Sequence, residues 1–151
     1  MPFEPGPNPS PNVRALHAWL DGLEKWDIGL IMAPMDDTLV HEVLPASLGR
    51  PARNKAEYAA YFSSVMPMFA SFSVDVDELV ETPDKIVIRA KSVGASVFGT
   101  PYANEYAVFL TFVDSPAGGG ERKISKIKEF VDSEYSKRFA EGERAKMAEK
   151  E

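Results

Sequence analysis

Cysteine is absent from this chain, which excludes a disulfide framework and thiolate catalysis. Histidine occurs only at His17 and His41, so the Cys/His sets that usually hold zinc cannot be assembled, and no metal is expected. No apolar run is long enough to cross a bilayer or to serve as the core of a secretory leader. A soluble, cytoplasmic protein is therefore the expectation. Positive charge is also scarce: 17 Lys and Arg face 23 Asp and Glu, for a net charge of −6. No basic cluster is interleaved with aromatics, which argues against a nucleic-acid surface and a polybasic membrane patch.

Proline, by contrast, is crowded at one end, at positions 2, 5, 7, 9 and 11. Such a stretch can enter neither a helix interior nor a central strand. Residues 1–12 are expected to form an arm, mobile or laid over a neighbour. A single domain follows over 13–139, and a charged helical tail over 140–151. Asn12 is a candidate helix N-cap. Val13, Leu16, Leu20 and Leu23 then repeat at helical spacing, with Trp19 and Trp26 widening the stripe and His17 beside it. Asp27 is placed to cap a short helix that Pro34 closes. Thr38–Leu44 alternates as a strand. Asn54 and Glu57 form a capping-box pair ahead of Tyr58, Tyr61, Phe62, Val65, Met66 and Phe69 at helical spacing, with Pro67 ending or bending that helix. Strands are expected at 74–80 and 85–93, then a small-residue loop over 94–101. A hairpin follows, 104–113 and 123–131, turning at Gly118, Gly119 and Gly120. Beyond Phe139 little is apolar, so a solvated or frayed helix is expected.

This order gives an α+β fold in which a curved, mixed or antiparallel sheet wraps the N-terminal helices as a cone-shaped barrel around a pocket. The last strand carries the main chemical signal. Lys126 and Lys128 want water, and successive side chains alternate faces, so Ile127, Glu129 and Val131 point inward. An acid between apolar neighbours is costly unless partnered, and it is also how proteins make proton-transfer groups. The structural alternative is a buried ion pair with Arg89 or Lys91. His41 shares a face with Leu39 and Val43; it is either a satisfied core histidine or the partner of Glu129 in proton transfer. Asn104 shares the more apolar face of its strand with Tyr106, which suits hydrogen bonding to substrate, while Glu105 faces the other side. Asp132 stands where strand becomes helix, either as an N-cap or at the pocket mouth. Arg50 and Arg53, in a Pro-Gly loop, are suited to an anionic or carbonyl oxygen. Tyr58, Tyr61 and Phe62 are core residues by default, with a hydroxyl reaching the cavity as the alternative. Ser47 lacks a base spaced to activate it. The candidate set is thus Glu129, His41, Asn104 and Asp132 for catalysis, and Arg50, Tyr58, Phe62, Tyr106, Arg89 and Glu105 for substrate contact.

Three segments carry a family likeness: Trp26-Asp27 leading into Val40–Leu48, then Tyr102–Tyr106, then Ile124–Ser133. Over residues 13–139 the chain resembles the SnoaL-like polyketide cyclases of the nuclear transport factor 2-like, cystatin-like superfamily, in particular their fungal secondary-metabolite branch. The resemblance implies a homodimer, no cofactor, and acid–base chemistry on a bound apolar natural product. Reactions in that group include ring closure, double-bond isomerisation, dehydration and epoxide opening. Its bacterial ring-closing members use an aspartate for proton transfer in the pocket, whereas the inward acid on the final strand here is Glu129, so the resemblance does not single out aldol closure among these reactions. The enzyme expected is an isomerase, cyclase, lyase or epoxide hydrolase. The alternatives of the same fold are a non-catalytic small-molecule binder and a dimerisation scaffold.

Overall fold

A computed structural model describes residues 3–150. Met1, Pro2 and Glu151, parts of the expected arm and tail, lie outside the described residues. Helix α1 spans Pro11–Lys25 and buries Leu16, Trp19, Leu20 and Leu23. Each such side chain contributes about 1.5–3 kcal/mol through burial. Its cap is Ser10, whose hydroxyl accepts from Val13 N at 3.1 Å. The expected cap, Asn12, is engaged elsewhere. It donates to Pro83 O at 2.9 Å and accepts from Arg122 Nε at 3.2 Å. Pro11 takes the first helical turn, where no backbone N–H is needed. Phe3 lies over His17, with ring centroids 6.1 Å apart, so the arm is laid on α1.

Helix α2, Ile28–Met32, is capped by Asp27, as its position in the sequence indicates. The two helices touch at Gly22, where a Cβ would stand 2.7 Å from Ile31 N. Strand β1 covers Met35–Leu44, three residues earlier than its alternation shows. A short β2, Arg53–Asn54, pairs antiparallel with it, and α3 follows over Lys55–Val65 with both halves of the capping box formed. Pro67 closes α3 through a 3-10 turn, so Phe69 opens a strand instead of extending the helix. The last four strands are β3 (Phe69–Glu81), β4 (Lys85–Ser96), β5 (Pro101–Asp114) and β6 (Arg122–Val131). They are longer than their apolar alternation alone shows. Gly94, expected in a loop, lies within β4, where a Cβ would meet Ser71 O at 2.3 Å.

One six-stranded sheet results, in the order β2-β1-β6-β5-β4-β3. All its pairings are antiparallel except β1 with β6. The fold is the expected α+β cone, but the sheet does not close into a barrel. Its concave face and the helices share a core that includes Leu16, Ile31, Tyr58, Ile88, Leu110 and Ile127. Among the described residues no helix is long and apolar enough to cross a membrane.

Helix α4, Ser133–Glu149, is solvated along most of its length beyond Phe139, as expected, but one buried acid ties it to the sheet. Glu143 is buried against the turn that joins β4 to β5. Ser96 Oγ accepts from Phe98 N and Thr100 N, which leaves its hydroxyl proton for another acceptor. Lys146 donates to Thr100 Oγ1 and lies 3.5 Å from Glu143 Oε1, and Lys150 sits over the Phe98 ring. Burial pushes the Glu143 carboxyl up, but the Thr100 and Ser96 hydroxyls with Lys146 outweigh it and hold the pKa below the ordinary value. Polar docking of this kind leaves no apolar periodicity to read.

A carboxyl held low stabilises the fold above its unfolded pKa of about 4.5, and that stability is lost as pH falls through the lower folded value. Glu143→Ala should therefore speed amide exchange over residues 140–149 by roughly tenfold to a hundredfold, the equivalent of about 1.5–3 kcal/mol for bonds to a charged group. Acid below the carboxylate range should lower the protection factors of these amides in the unaltered chain, once the slower intrinsic exchange at low pH is divided out. Hydrogen–deuterium exchange read by mass spectrometry checks both, with β5 amides as the unaffected control.

Candidate active site

Between the helices and the concave face lies a cavity of about 130 Å³. Most of its wall is aromatic or aliphatic, with Trp19, Trp26, Phe62, Phe69, Phe72 and Val108 among the lining residues. Trp26 holds its place by donating from Nε1 to Met66 O at 3.0 Å and by packing 4.8 Å from Phe72. Its backbone is left-handed, φ 54°, as the C-cap of α1. In this apolar frame stand a few polar groups: Glu129, His41, Asn104, Tyr61, Tyr102, Tyr106, Ser136 and Arg50.

Glu129 and His41 are neighbours because β1 and β6 run parallel. Val43 pairs with Glu129 and His41 with Ile127, so the side chains of His41, Val43, Ile127 and Glu129 share the concave face. His41 Nε2 lies 3.3 Å from Glu129 Oε1. The imidazole is 1% exposed and the carboxyl 18%. The acid is thus wedged into the wall with one edge open to the cavity. His41 Nδ1 is buried without a hydrogen-bond partner. An ionised carboxylate only accepts, so Nε2 is the donor of this contact whenever Glu129 is charged. Behind the imidazole, Tyr58 packs with ring centroids 4.6 Å apart and accepts from Trp19 Nε1 at 3.2 Å. Glu129 therefore pairs with His41, and neither Arg89 nor Lys91 is its counter-ion.

A second polar group crosses β4 and β5. Tyr106 OH lies 2.9 Å from Ser92 Oγ and 3.0 Å from Tyr102 OH. Asn104 Nδ2 donates to Tyr102 OH at 3.1 Å and to Ser136 Oγ at 2.9 Å. The strand period places Tyr102, Asn104 and Tyr106 on one face, and the Ser92–Asn104 register brings β4 into line. Burial pushes the Tyr58 and Tyr106 hydroxyls well above the ordinary phenol value and raises Tyr102 as well, and the charge of Glu129 adds to all three. These phenols stay protonated and able to donate throughout the neutral range.

No family model matches the sequence. A protein of Aspergillus aculeatus named Monooxygenase AacuP is 32% identical over 126 residues, covering 82% of this chain and 83% of its own. The chain belongs to the SnoaL-like family, in its fungal secondary-metabolite branch. A Claviceps purpurea member named Ergochrome gene cluster protein is 26% identical, covering 82% of this chain and 78% of its own. Among solved structures, the BvnE pinacolase of Penicillium brevicompactum superposes with a TM-score of 0.77 at 24% identity, covering 91% of this chain and 96% of its own. That likeness shows the fold: this SnoaL-like chain has the same helix-covered cone.

Within that SnoaL-like cone the structure brings Glu129, His41, Asn104, Arg50, Phe62 and Tyr106 to one cavity. Four candidates stand elsewhere. Asp132 caps α4, accepting from Tyr135 N at 3.1 Å, and is exposed away from the cavity wall. Arg89 and Glu105 are on the convex face, paired with each other at 3.2 Å, with Asp77 as a further partner of Arg89. Their register opposite Ala107 and Lys91 puts them on the side away from Asn104. Tyr58 is fully buried behind His41 and is not part of the lining. Sequence reasoning misses Tyr102, Ser92 and Ser136. Tyr102 is legible, two residues before Asn104 on the same strand face. Ser136 carries no sequence signal, because only the docking of α4 brings it to the wall.

The raised phenols predict a titration. A tyrosine whose folded pKa lies above its unfolded value adds stability that is complete below pH 10.0 and is lost as pH rises beyond it. The ultraviolet signal of phenolate from Tyr58, Tyr102 and Tyr106 should therefore appear together with alkaline unfolding followed by circular dichroism, and not before. Tyr58→Phe should lower the amplitude of that coincident step.

Proposed function

We propose that this protein is a tailoring enzyme of fungal natural-product biosynthesis that moves a proton on an apolar substrate, with Glu129 as the proton-transfer group. One observation carries the reading: the Glu129 carboxyl opens from an aromatic wall into the cavity, held from behind by His41 Nε2. Groups so placed recur where proteins perform acid–base chemistry. Glu129 takes a proton from a carbon or hydroxyl of the bound substrate, and His41 keeps the carboxyl aimed. The negative charge that develops on a substrate oxygen meets the phenol donors Tyr106 and Tyr102, which the same apolar surroundings make effective. Return of the proton elsewhere completes an isomerisation. Loss of hydroxide, which takes up the proton Glu129 holds and leaves as water, completes a dehydration, and attack of the carbanion a cyclisation. Where Glu129 instead takes the proton of a water, that water adds to an epoxide carbon while a phenol protonates the epoxide oxygen, which is hydrolysis.

A second reading is favoured by the name of the relative from Aspergillus aculeatus, a monooxygenase. Its opening step is the same. A carbanion formed by Glu129 at a methylene carbon is the species that dioxygen oxidises: one oxygen atom becomes the new carbonyl, the other leaves as water, and the substrate carbon supplies all four electrons, so one base serves both outcomes. The two readings part on whether oxygen is consumed.

Glu129→Gln keeps the shape and loses the titrating group. Turnover should fall by about 10²–10⁴, the usual worth of a general acid or base, with substrate affinity little changed. His41→Asn, which keeps an N–H donor, should retain more activity than His41→Ala. Steady-state assays with an oxygen electrode and labelled dioxygen check this and separate the two readings. Unchanged turnover in Glu129→Gln would remove Glu129 from the mechanism, and a ligand bound without turnover would favour a carrier.

The protein is also proposed to be a homodimer joined through the convex sheet face. Phe109 and Phe130 are 45% and 49% exposed there, beside a groove that includes Val80 and Ala107. Side chains of this size on an open sheet favour a partner. Phe130→Glu should convert a dimer to a monomer in sedimentation velocity at micromolar concentration. A monomer in the unaltered chain at that concentration would overturn the proposal.

A further inference from the structure

Most arginines of this acidic chain are already engaged. Arg14, Arg89, Arg122 and Arg138 each hold a carboxylate, and Arg144 donates to Ala140 O at 3.3 Å. Arg50 and Arg53 hold no carboxylate among the described residues, although Lys55, two positions further on, pairs with Asp37 at 2.9 Å. Arg50 lines the cavity. Arg53 stands opposite His41 in the β1–β2 pairing, and directly paired residues project to the same side of a sheet. Its side chain is therefore on the concave face. The guanidinium lies 3.9 Å from the centroid of the Tyr61 ring, and Tyr61 lines the cavity. Arg53 itself is not among the lining residues; it stands beside Tyr61 at the edge of the cavity, and its Nη1 is buried with no hydrogen-bond partner.

A guanidinium keeps its charge at every working pH and presents donors in a planar fork. Burying one of those donors unmatched is costly. We propose that Arg50 and Arg53 form a subsite for the carboxylate of an otherwise apolar, aromatic ligand. The planar fork matches a carboxylate, and the aromatic wall takes the rest of the molecule. The strand order β2-β1-β6 sets the spacing. Arg53 and Glu129 are two strand steps across and two residues along the sheet, about 12 Å between backbones, so the ligand's anion is kept away from the Glu129 carboxyl. The subsite deepens the proposed acid–base reading and rests on it only for the way the ligand is oriented.

Two near-isosteric probes test it, 2-naphthoate and 2-naphthamide. Trp19 and Trp26, the two tryptophans of the chain, both line the cavity, so their fluorescence reports occupancy without any turnover, and calorimetry gives the affinities. The full chain should bind 2-naphthoate at least about tenfold tighter than the amide at low salt, as a charge-assisted fork contact gives. Arg53→Gln and Arg50→Gln should each lower that preference, and the double variant should abolish it, with amide affinity unchanged. Arg50, on a loop, can be replaced without touching a strand, so Arg50→Gln stands as the test should Arg53→Gln fail to fold. Equal binding of acid and amide by the unaltered chain, no binding of either at millimolar concentration, or a preference that survives Arg50→Gln would each overturn the subsite. Glu129→Gln provides the separation: a preference for naphthoate that persists there leaves the subsite standing even if Glu129 has no part in turnover.

Discussion

The parallel pairing of β1 with β6 is the contact on which the candidate site depends. Antiparallel neighbours can be joined by a tight turn, but a parallel pair needs a long crossover. Here that crossover comprises the rest of the sheet and α3, and it brings together His41 and Glu129, 88 residues apart in the chain. The pairing also sets their relative height. Val43 is the direct partner of Glu129, so His41 reaches the carboxyl obliquely, from two residues back along β1. A one-residue slip would turn Glu129 to the convex side and Phe130 inward. Lys126 and Lys128 oppose that slip, since it would bury both ammonium groups.

Around this pair the cavity wall is built almost wholly from side chains that cannot solvate a charge. That raises the cost of every polar group on it, and the structure answers by linking those groups to one another. Ser92, Tyr106, Tyr102, Asn104 and Ser136 form one connected set across β4, β5 and α4. Three buried atoms among the described residues lack a partner: His41 Nδ1 on the wall and Arg53 Nη1 beside it, both on the β1–β2 side, and Glu143 Oε2, away from the cavity on α4. Unmatched buried groups are expensive enough that their position carries functional meaning. The polar matching is finished on the hydroxyl side and left open on the arginine side. The first suits stabilisation of charge that appears during reaction, and the second suits a charge that arrives with the ligand.

Helix α4 plays a structural part that its composition conceals. Its first turn carries Ser136 to the cavity, Phe139 stacks 5.8 Å from Phe69, and Glu143 anchors its second half. The polar anchor is attached to the β4–β5 turn, so the same connection that ends two long strands also holds the helix closing that end of the cone. Asp132 links the two by capping the helix directly after β6.

Local rules were enough for much of this. The capping box at Asn54 and Glu57, the Asp27 cap, the helical stripe of α1 and the inward face of β6 are decided within a few residues, by hydrogen-bond reach and side-chain period. Glu129 was legible for that reason: the two lysines beside it decide its face. Asn104 with Tyr106 followed from the same period. What only the tertiary structure decided depends on contacts between distant segments. The open edge of the sheet, the choice of His41 over Arg89 as the partner of Glu129, and the unmatched Nη1 of Arg53 require knowing which strands adjoin. The burial of Glu143 and the arrival of Ser136 require knowing where a polar helix docks, and hydrogen-bonded docking leaves no periodic trace. The sequence by itself determined which residues face inward; the tertiary structure decided which of them meet, because register and strand order are properties of pairs.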